Sequence, residues 1–278
     1  MKILICTQVF DPQHTNLGFF VRWVEEFKKH CEVEVITLER LGPGRLRRAW
    51  HLLRLAATLE YDAVFVHMNP EYLVAAGWLW KLRGKKTALW YTHKSVDLKL
   101  RIAEKFADVI FTASKESFRL PSRKVHVMGH GIDTDFFTPD PTVVRGDWWL
   151  SAGRLNTSKR HDLAIRAAAE AHKALRIVGD GPERNNLEAL AQELGASVTF
   201  LGGLDHMGVR DEFRRASLFL HMSETGSLDK MVLEALACGC PLSTRDPALQ
   251  FLETKDASYV REHHSLQALI PRILKALA

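Results

Sequence analysis

Short runs of apolar residues, many of them β-branched or aromatic, alternate along this chain with segments whose apolar positions recur every three or four residues. The runs KILICT, VEVITL, AVFVH, TALWYT, DVIFTAS and KVHVMG read as strands. Helical spacing begins between them near Leu17, Arg45, Glu71 and Leu98. A segment from Gly129 to Asp147, rich in Gly, Pro, Asp and Thr, interrupts the rhythm as a linker. It resumes with the strand-like runs WWLSAG, ALRIVG, SVTFLG, SLFLHM and CPLST, separated by helices starting near Lys159, Pro182, Val209 and Asp229. The spacing of Leu266, Leu269, Ile270, Ile273, Leu274 and Leu277 predicts a last helix.

Strand alternating with helix calls for a parallel sheet covered by helices on both faces. Two such stretches predict an α/β chain of two Rossmann-like, doubly wound domains, 1–138 and 139–278, facing a cleft. The last helix is a candidate to pack back on the first domain. Ligands in such sheets sit beyond the carboxyl ends of the strands, so residues just after strands carry most weight.

An apolar fraction of 46% over 278 residues suffices for sizeable cores. No stretch approaches eighteen uninterrupted apolar residues, and MKILICTQVF is too short and too soon followed by Asp11 and Pro12 for a signal peptide. The expectation is a cytoplasmic protein, peripheral at the inner membrane face if it meets a membrane. Cys6, Cys31, Cys238 and Cys240 have no metal-ligand spacing and read as reduced packing residues. Charge is uneven: through residue 138 there are 21 Lys+Arg against 15 Asp+Glu, and the remainder has 17 against 18. The densest basic stretch is Arg45, Arg47, Arg48, His51 and Arg54, threaded with Leu46, Trp50 and Leu53. We expect Leu46, Trp50, Leu53 and Ala57 to pack on the sheet and the basic residues to form a solvated face. The other reading is contact with an anionic membrane or an acidic acceptor. No recognition module supports nucleic-acid binding.

Candidate chemistry follows three strands of the second half. In SAGRLNTSKRHDLAI, Gly153 ends a strand, Arg154 follows, and Lys159 stands five residues later. Two cations at a strand end suit a diphosphate, although an exposed loop pair would have the same spacing. In LRIVGDGPERNNLEAL, Gly179 and Gly181 permit a sharp turn and Pro182 suits a helix start; the pattern fits an anion site or an ordinary turn. In SETGSLDKMVLEALACGCPL, Gly226, Ser227 and Leu228 precede a helix that begins at Asp229, with amides expected to be free for an anion. Glu234 lies seven residues after Ser227, where a carboxylate is either paired in the core or bonded to a hydroxylated ligand such as ribose.

The runs GRLNTSK, IVGDGPE and LEALACGCPL together resemble the nucleotide-sugar glycosyltransferases of family 4, which have the GT-B fold. Gly18 in a loop before a long helix, WYTHK after the fourth strand and HGIDTDFF at the end of the first domain agree. The resemblance implies transfer of a hexose-type sugar from a nucleotide-diphosphate donor to a hydroxyl acceptor, without metal and with retention, in glycan or glycolipid assembly. It implies that Arg154 and Lys159 bind the donor diphosphate, Glu234 the ribose, His93 the transferred sugar, and Gly18 and Gly153 the neighbourhood of the phosphates. Family frequency favours a UDP-sugar over a GDP-sugar, and no other cofactor is implied. The acceptor implied is lipid-linked or a glycan.

One position departs from the family pattern. Where the family has the first acidic residue of its pair, this chain has Gly226, so Glu224 or Asp229 is the candidate to reach the donor sugar. That gap keeps a catalytically silent nucleotide-sugar binder or partner subunit, and an epimerase, as alternatives. Asp133-Thr134-Asp135 spells a metal-binding DxD but sits in the linker, where turn and capping acids are ordinary. No HExxH, GxSxG or first-strand GxGxxG is present.

Overall fold

The structure is a computed structural model and describes residues 1–12, 17–224 and 226–278. It divides into two compact units, Met1–Gly131 with Leu266–Ala278, and Ile132–Ser265. The first unit contains β1 (Lys2–Thr7), α1 (Phe19–Lys28), β2 (Glu32–Thr37), α2 (Arg45–Thr58), β3 (Ala63–His67), α3 (Glu71–Leu82), β4 (Lys86–Trp90), α4 (Leu98–Phe106), β5 (Val109–Thr112) and β6 (Val125–Val127). The second contains β7 (Trp148–Ala152), α5 (His161–Glu170), β8 (Ala174–Val178), α6 (Arg184–Glu193), β9 (Val198–Gly202), α7 (His206–Arg215), β10 (Leu218–His221), α8 (Lys230–Ala237), β11 (Leu242–Thr244) and α9 (Ala257–His264). The last helix, α10 (Leu266–Leu277), belongs to the first unit.

All strand pairs are parallel. The first sheet runs β2-β1-β3-β4-β5-β6 and the second β11-β10-β7-β8-β9. Strands covered on both faces must be apolar throughout, and β3 is buried along its whole length. Alternate side chains serve opposite layers. Leu4, Cys6, Val64 and Val66 meet Leu52, Tyr72, Trp80 and Leu100 from α2, α3 and α4. Ile3, Ile5 and Phe65 meet Phe20, Trp23 and Phe27 of α1 and Leu269, Ile270 and Ile273 of α10. Each such fully buried side chain contributes about 1.5–3 kcal/mol. Each unit is a parallel sheet covered by helices on both faces.

Helix α2 corrects one expectation. Leu46 and Trp50 are 88% and 58% exposed, and Ala57 is exposed, whereas Leu52 and Ala56 are buried. The buried positions of α2 are Leu52 and Ala56, and of the expected row only Leu53 is partly buried against the same core. Helix starts shift by a few residues: a 3-10 turn, Thr157–Lys159, precedes α5, α6 starts at Arg184 rather than Pro182, and α7 starts at His206, before Val209. Cys6, Cys238 and Cys240 are buried free thiols and Cys31 is half-buried. Burial pushes the Cys238 and Cys240 thiols up to about 12.

Candidate functional site

In the second sheet the chain steps from β7 outward to β8 and β9, then returns to place β10 on the other side of β7. The reversal between β7 and β10 leaves a crevice at their carboxyl ends, where two loops diverge. Gly153, Arg154 and Lys159 follow β7, and the segment from Met222 to Asp229 follows β10.

The loop after β7 is built to aim a lysine. Leu155 is fully buried and anchors it. Asn156 Oδ1 accepts from the Lys159 amide at 3.2 Å, forming the 3-10 turn. Arg160 then takes the left-handed conformation (φ 53°, ψ 40°) to redirect the chain into α5. The aliphatic part of Lys159 lies across Gly153, where a Cβ would stand 3.4 Å from its methylenes. The ammonium is thereby delivered to Asp229, with Nζ donating to Oδ2 at 2.9 Å. Ser151 and the buried His161 bond at 2.9 Å beneath the loop, and burial lowers the His161 pKa to about 4, so the ring is neutral.

The loop after β8 has a structural role. A Cβ at Gly179 would overlap the Gly153 carbonyl oxygen, and one at Gly181 would overlap that of Leu155. The amides of Gly179 and Glu183 donate to Gly202 and Leu155 carbonyls, so they are engaged in the turn. The glycines of GDGP thus let one loop press against the other.

The loop after β10 ends at Asp229, which caps α8 by accepting from the Met231 amide at 2.9 Å. Its other oxygen meets Lys159 and, at 3.3 Å, the buried His221. His221 also bonds Ser223 at 2.8 Å and Thr244 at 2.9 Å. Burial opposes ionisation of Asp229, but the His221 hydrogen bond and the Lys159 charge outweigh it and hold the carboxyl well below the usual carboxylate range. Gly226 adopts φ 58°, and its amide donates to Asp246 Oδ2 at 2.6 Å. That amide is therefore engaged, contrary to the expectation that it stands free. Asp246 is 1% exposed and also accepts from the Ala248 amide at 3.0 Å.

The remaining candidates are distributed as follows. Arg154 is exposed, and its guanidinium has no partner among the described residues. Glu234 is buried on α8 and is bonded by Lys230 one turn before it. Glu224 is exposed and pairs with Arg245 at 3.3 Å. Ser227 and Leu228 are half-buried between Gly226 and the α8 cap. In the first unit, His93 is exposed after β4, and its Nδ1 accepts from the Ser95 amide at 3.1 Å. Gly18 is buried at the start of α1 with φ −57°, an ordinary helical value. Asp133 Oδ1 accepts from the amides of Asp135 and Phe136, the behaviour of a turn-capping residue. Among the described residues no three His, Cys, Asp or Glu side chains gather where they could hold a metal ion. The structure thus joins Lys159 to Asp229 and leaves Arg154 unpaired beyond β7. Sequence reasoning missed His221, Ser223, Thr244 and Asp246. Their only local signal is position, at or just beyond the ends of two apolar runs.

Residues 145–277 match the family described as Glycosyl transferases group 1. This part of the chain is similar to a group 1 glycosyltransferase domain. Over 139 residues the chain is 34% identical to the D-inositol 3-phosphate glycosyltransferase of Mycobacterium sp. (strain JLS), covering 44% of this chain and 31% of that protein. Over 130 residues it is 32% identical to the phosphatidylinositol N-acetylglucosaminyltransferase gpi3 subunit of Schizosaccharomyces pombe, covering 43% and 28%. The aligned part thus spans about a third of the length of these curated relatives. The whole chain superposes on Anabaena HepE, solved in complex with UDP, with a TM-score of 0.74 at 17% identity, covering 100% of this chain and 99% of that one. Sucrose-phosphate synthase from Thermosynechococcus elongatus gives a TM-score of 0.64 at 18% identity, covering 99% and 90%. At these identities the superpositions establish the shared fold. The matched stretch takes in Gly153, Arg154, Lys159, Glu224, Gly226, Ser227, Leu228, Asp229 and Glu234.

Proposed function

We propose that this chain is a family 4 glycosyltransferase that moves a hexose-type sugar from a UDP-sugar to a hydroxyl acceptor, with retention and without a metal ion. The observation that carries this reading is the meeting of Lys159 with the Asp229 cap of α8 at the β7/β10 reversal, beside the unpaired Arg154. Glycosyl transfer from a nucleoside diphosphate breaks the bond between the sugar and the diphosphate, and negative charge grows on the departing phosphate. Lys159 and Arg154 supply fixed positive charge to that oxygen, the part a metal ion plays elsewhere. Asp229 keeps Lys159 aimed before the donor arrives. Glu234 takes the ribose hydroxyls in exchange for Lys230. This reading assigns His93 to the transferred sugar and Gly18 and Gly153 to the surroundings of the phosphates. The proton of the incoming hydroxyl passes to the leaving diphosphate on the face where the new bond forms, which gives retention.

Donor preference for UDP draws support from the UDP and UDP-glucose complexes of HepE, a protein of the same fold. The acceptor reading draws support from α2, whose exposed Leu46 and Trp50 stand among Arg45, Arg47 and Arg54. Such a helix lies in an anionic membrane surface and brings the enzyme to a lipid-linked acceptor, peripherally at the cytoplasmic face. No helix among the described residues is long and apolar enough to cross a membrane. Incubation with a panel of UDP- and GDP-sugars, followed by nucleotide release with and without acceptor, tests the assignment. Acceptor-dependent release from a UDP-sugar is expected. Donor binding with no release under any acceptor would replace this reading by a silent binder.

A further inference from the structure

A cavity of about 310 Å³ opens on the first unit among the starts of α2, α3 and α4. It lies beside the segment that leaves the carboxyl end of β2, the edge of the sheet where ligands of such folds bind. Its interior is apolar, made by Leu41, Leu52, Ala49 and Ala75, with the buried Tyr72 ring beneath. The Tyr72 hydroxyl is already spent on the Thr7 carbonyl at 2.7 Å, so the ring offers only its apolar body.

The rim has a different character: three cations, Arg45, Arg48 and Lys99, face one carboxylate, Glu71. Lys99 neutralises Glu71 at 2.7 Å. Arg48 Nε donates to the Gly42 carbonyl at 2.7 Å, which fixes its guanidinium while leaving the charge uncompensated. Arg45 has no partner among the described residues. The rim therefore carries two uncompensated positive charges above an apolar floor. The volume falls at the small end of the range for small-molecule sites, room for a single chain or ring and not for a folded peptide. Leu46 and Trp50, exposed on the same helix, would keep the opening at a lipid surface.

We propose that this cavity holds the alkyl part of an anionic amphiphile, with its phosphate against Arg45 and Arg48. Calling that amphiphile the acceptor rests on the glycosyltransferase reading; the binding itself does not.

The test is calorimetric titration of the intact chain with dodecyl phosphate below its micellar concentration, with dodecyl maltoside and inorganic phosphate as comparisons. Saturable one-to-one binding of dodecyl phosphate is expected, with both comparisons at least about tenfold weaker, as loss of one charge-assisted contact implies. Ala49→Trp fills the cavity without touching a charge and should abolish binding. Arg45→Glu, at the exposed start of α2, should weaken it about tenfold or more and carries the test alone if the tryptophan variant does not fold. Equal affinity in wild type and Arg45→Glu, or dodecyl maltoside binding as tightly as the phosphate, would overturn the proposal. A UDP thermal shift on the same samples separates the two readings. Wild type that binds UDP but not dodecyl phosphate refutes the cavity, and the reverse refutes the donor site.

Discussion

Asp229→Asn removes one charge from the centre of the candidate site while keeping the side chain's shape and its ability to cap α8. The wild-type carboxylate accepts from Lys159, His221 and the Met231 amide. Charge-assisted hydrogen bonds contribute about 1.5–3 kcal/mol each when desolvated. Lys159 keeps 27% of its side chain in solvent and can rehydrate, and the amide still caps the helix, so the expected loss is about 2 kcal/mol. For a unit of this size that lowers Tm by roughly 8 °C. Asp229→Ala also loses the cap and should cost about 1 kcal/mol more. The native carboxyl is held below its ordinary value, so its contribution is full above the unfolded carboxylate pKa near 3.9 and disappears only as pH falls through the lower folded value. The Tm gap between wild type and Asp229→Asn should therefore stay level from about pH 8 to pH 5 and close only below about pH 4. Differential scanning calorimetry of both proteins across that range measures it. A double-mutant cycle with Lys159→Met should return a coupling of about 1 kcal/mol or more. An unchanged Tm, or zero coupling, would refute the view that Asp229 and Lys159 act as one unit.

Arg154→Ala should leave Tm unchanged, because the guanidinium holds nothing in the described structure, yet slow sugar transfer about a hundredfold to a thousandfold; a kinetic comparison with normal rate would remove Arg154 from the site. Gly179→Ala should destabilise by more than about 2 kcal/mol in chemical denaturation, since its Cβ meets backbone, whereas Gly195→Ala, with open space around it, should cost only about 1 kcal/mol; similar costs would contradict the loop packing. Trp50→Glu combined with Arg47→Glu should abolish sedimentation with anionic vesicles without lowering Tm, and retained, salt-insensitive binding would show that α2 is not the contact.

The strands were legible because a buried parallel strand must be apolar on both faces, which leaves a signal as plain as AVFVH. The face of α2 was not. Leu46, Trp50, Leu53 and Ala57 are spaced like a packed row, but only Leu53 of them packs, and the fully buried positions are Leu52 and Ala56, a rotation of the helix that spacing alone does not fix. Helix α9 gives little periodic signal, because Val260 is its only fully buried apolar residue; its local mark is Asp256, which caps the amides of Ser258 and Tyr259. In the site, Lys159 was readable from its distance to a strand end, and its partner Asp229 from its place at a helix start. The carboxylate that captures the Gly226 amide was not, because Asp246 lies twenty residues further along and only the fold brings it back. Contacts made across a sheet leave no local spacing to read.

The route of the chain through the two units constrains how it can be made. The layer under α1 is closed by Leu269, Ile270 and Ile273, residues synthesised after the entire second unit. The second unit is one uninterrupted stretch whose core residues all lie within Ile132–Ser265, so it needs nothing made later. The first must wait, with Phe20, Trp23 and Phe27 only partly covered, until α10 emerges. Cutting the gene between the units would therefore yield an amino-terminal fragment with an open apolar flank, prone to aggregate unless residues 266–278 are supplied alongside it.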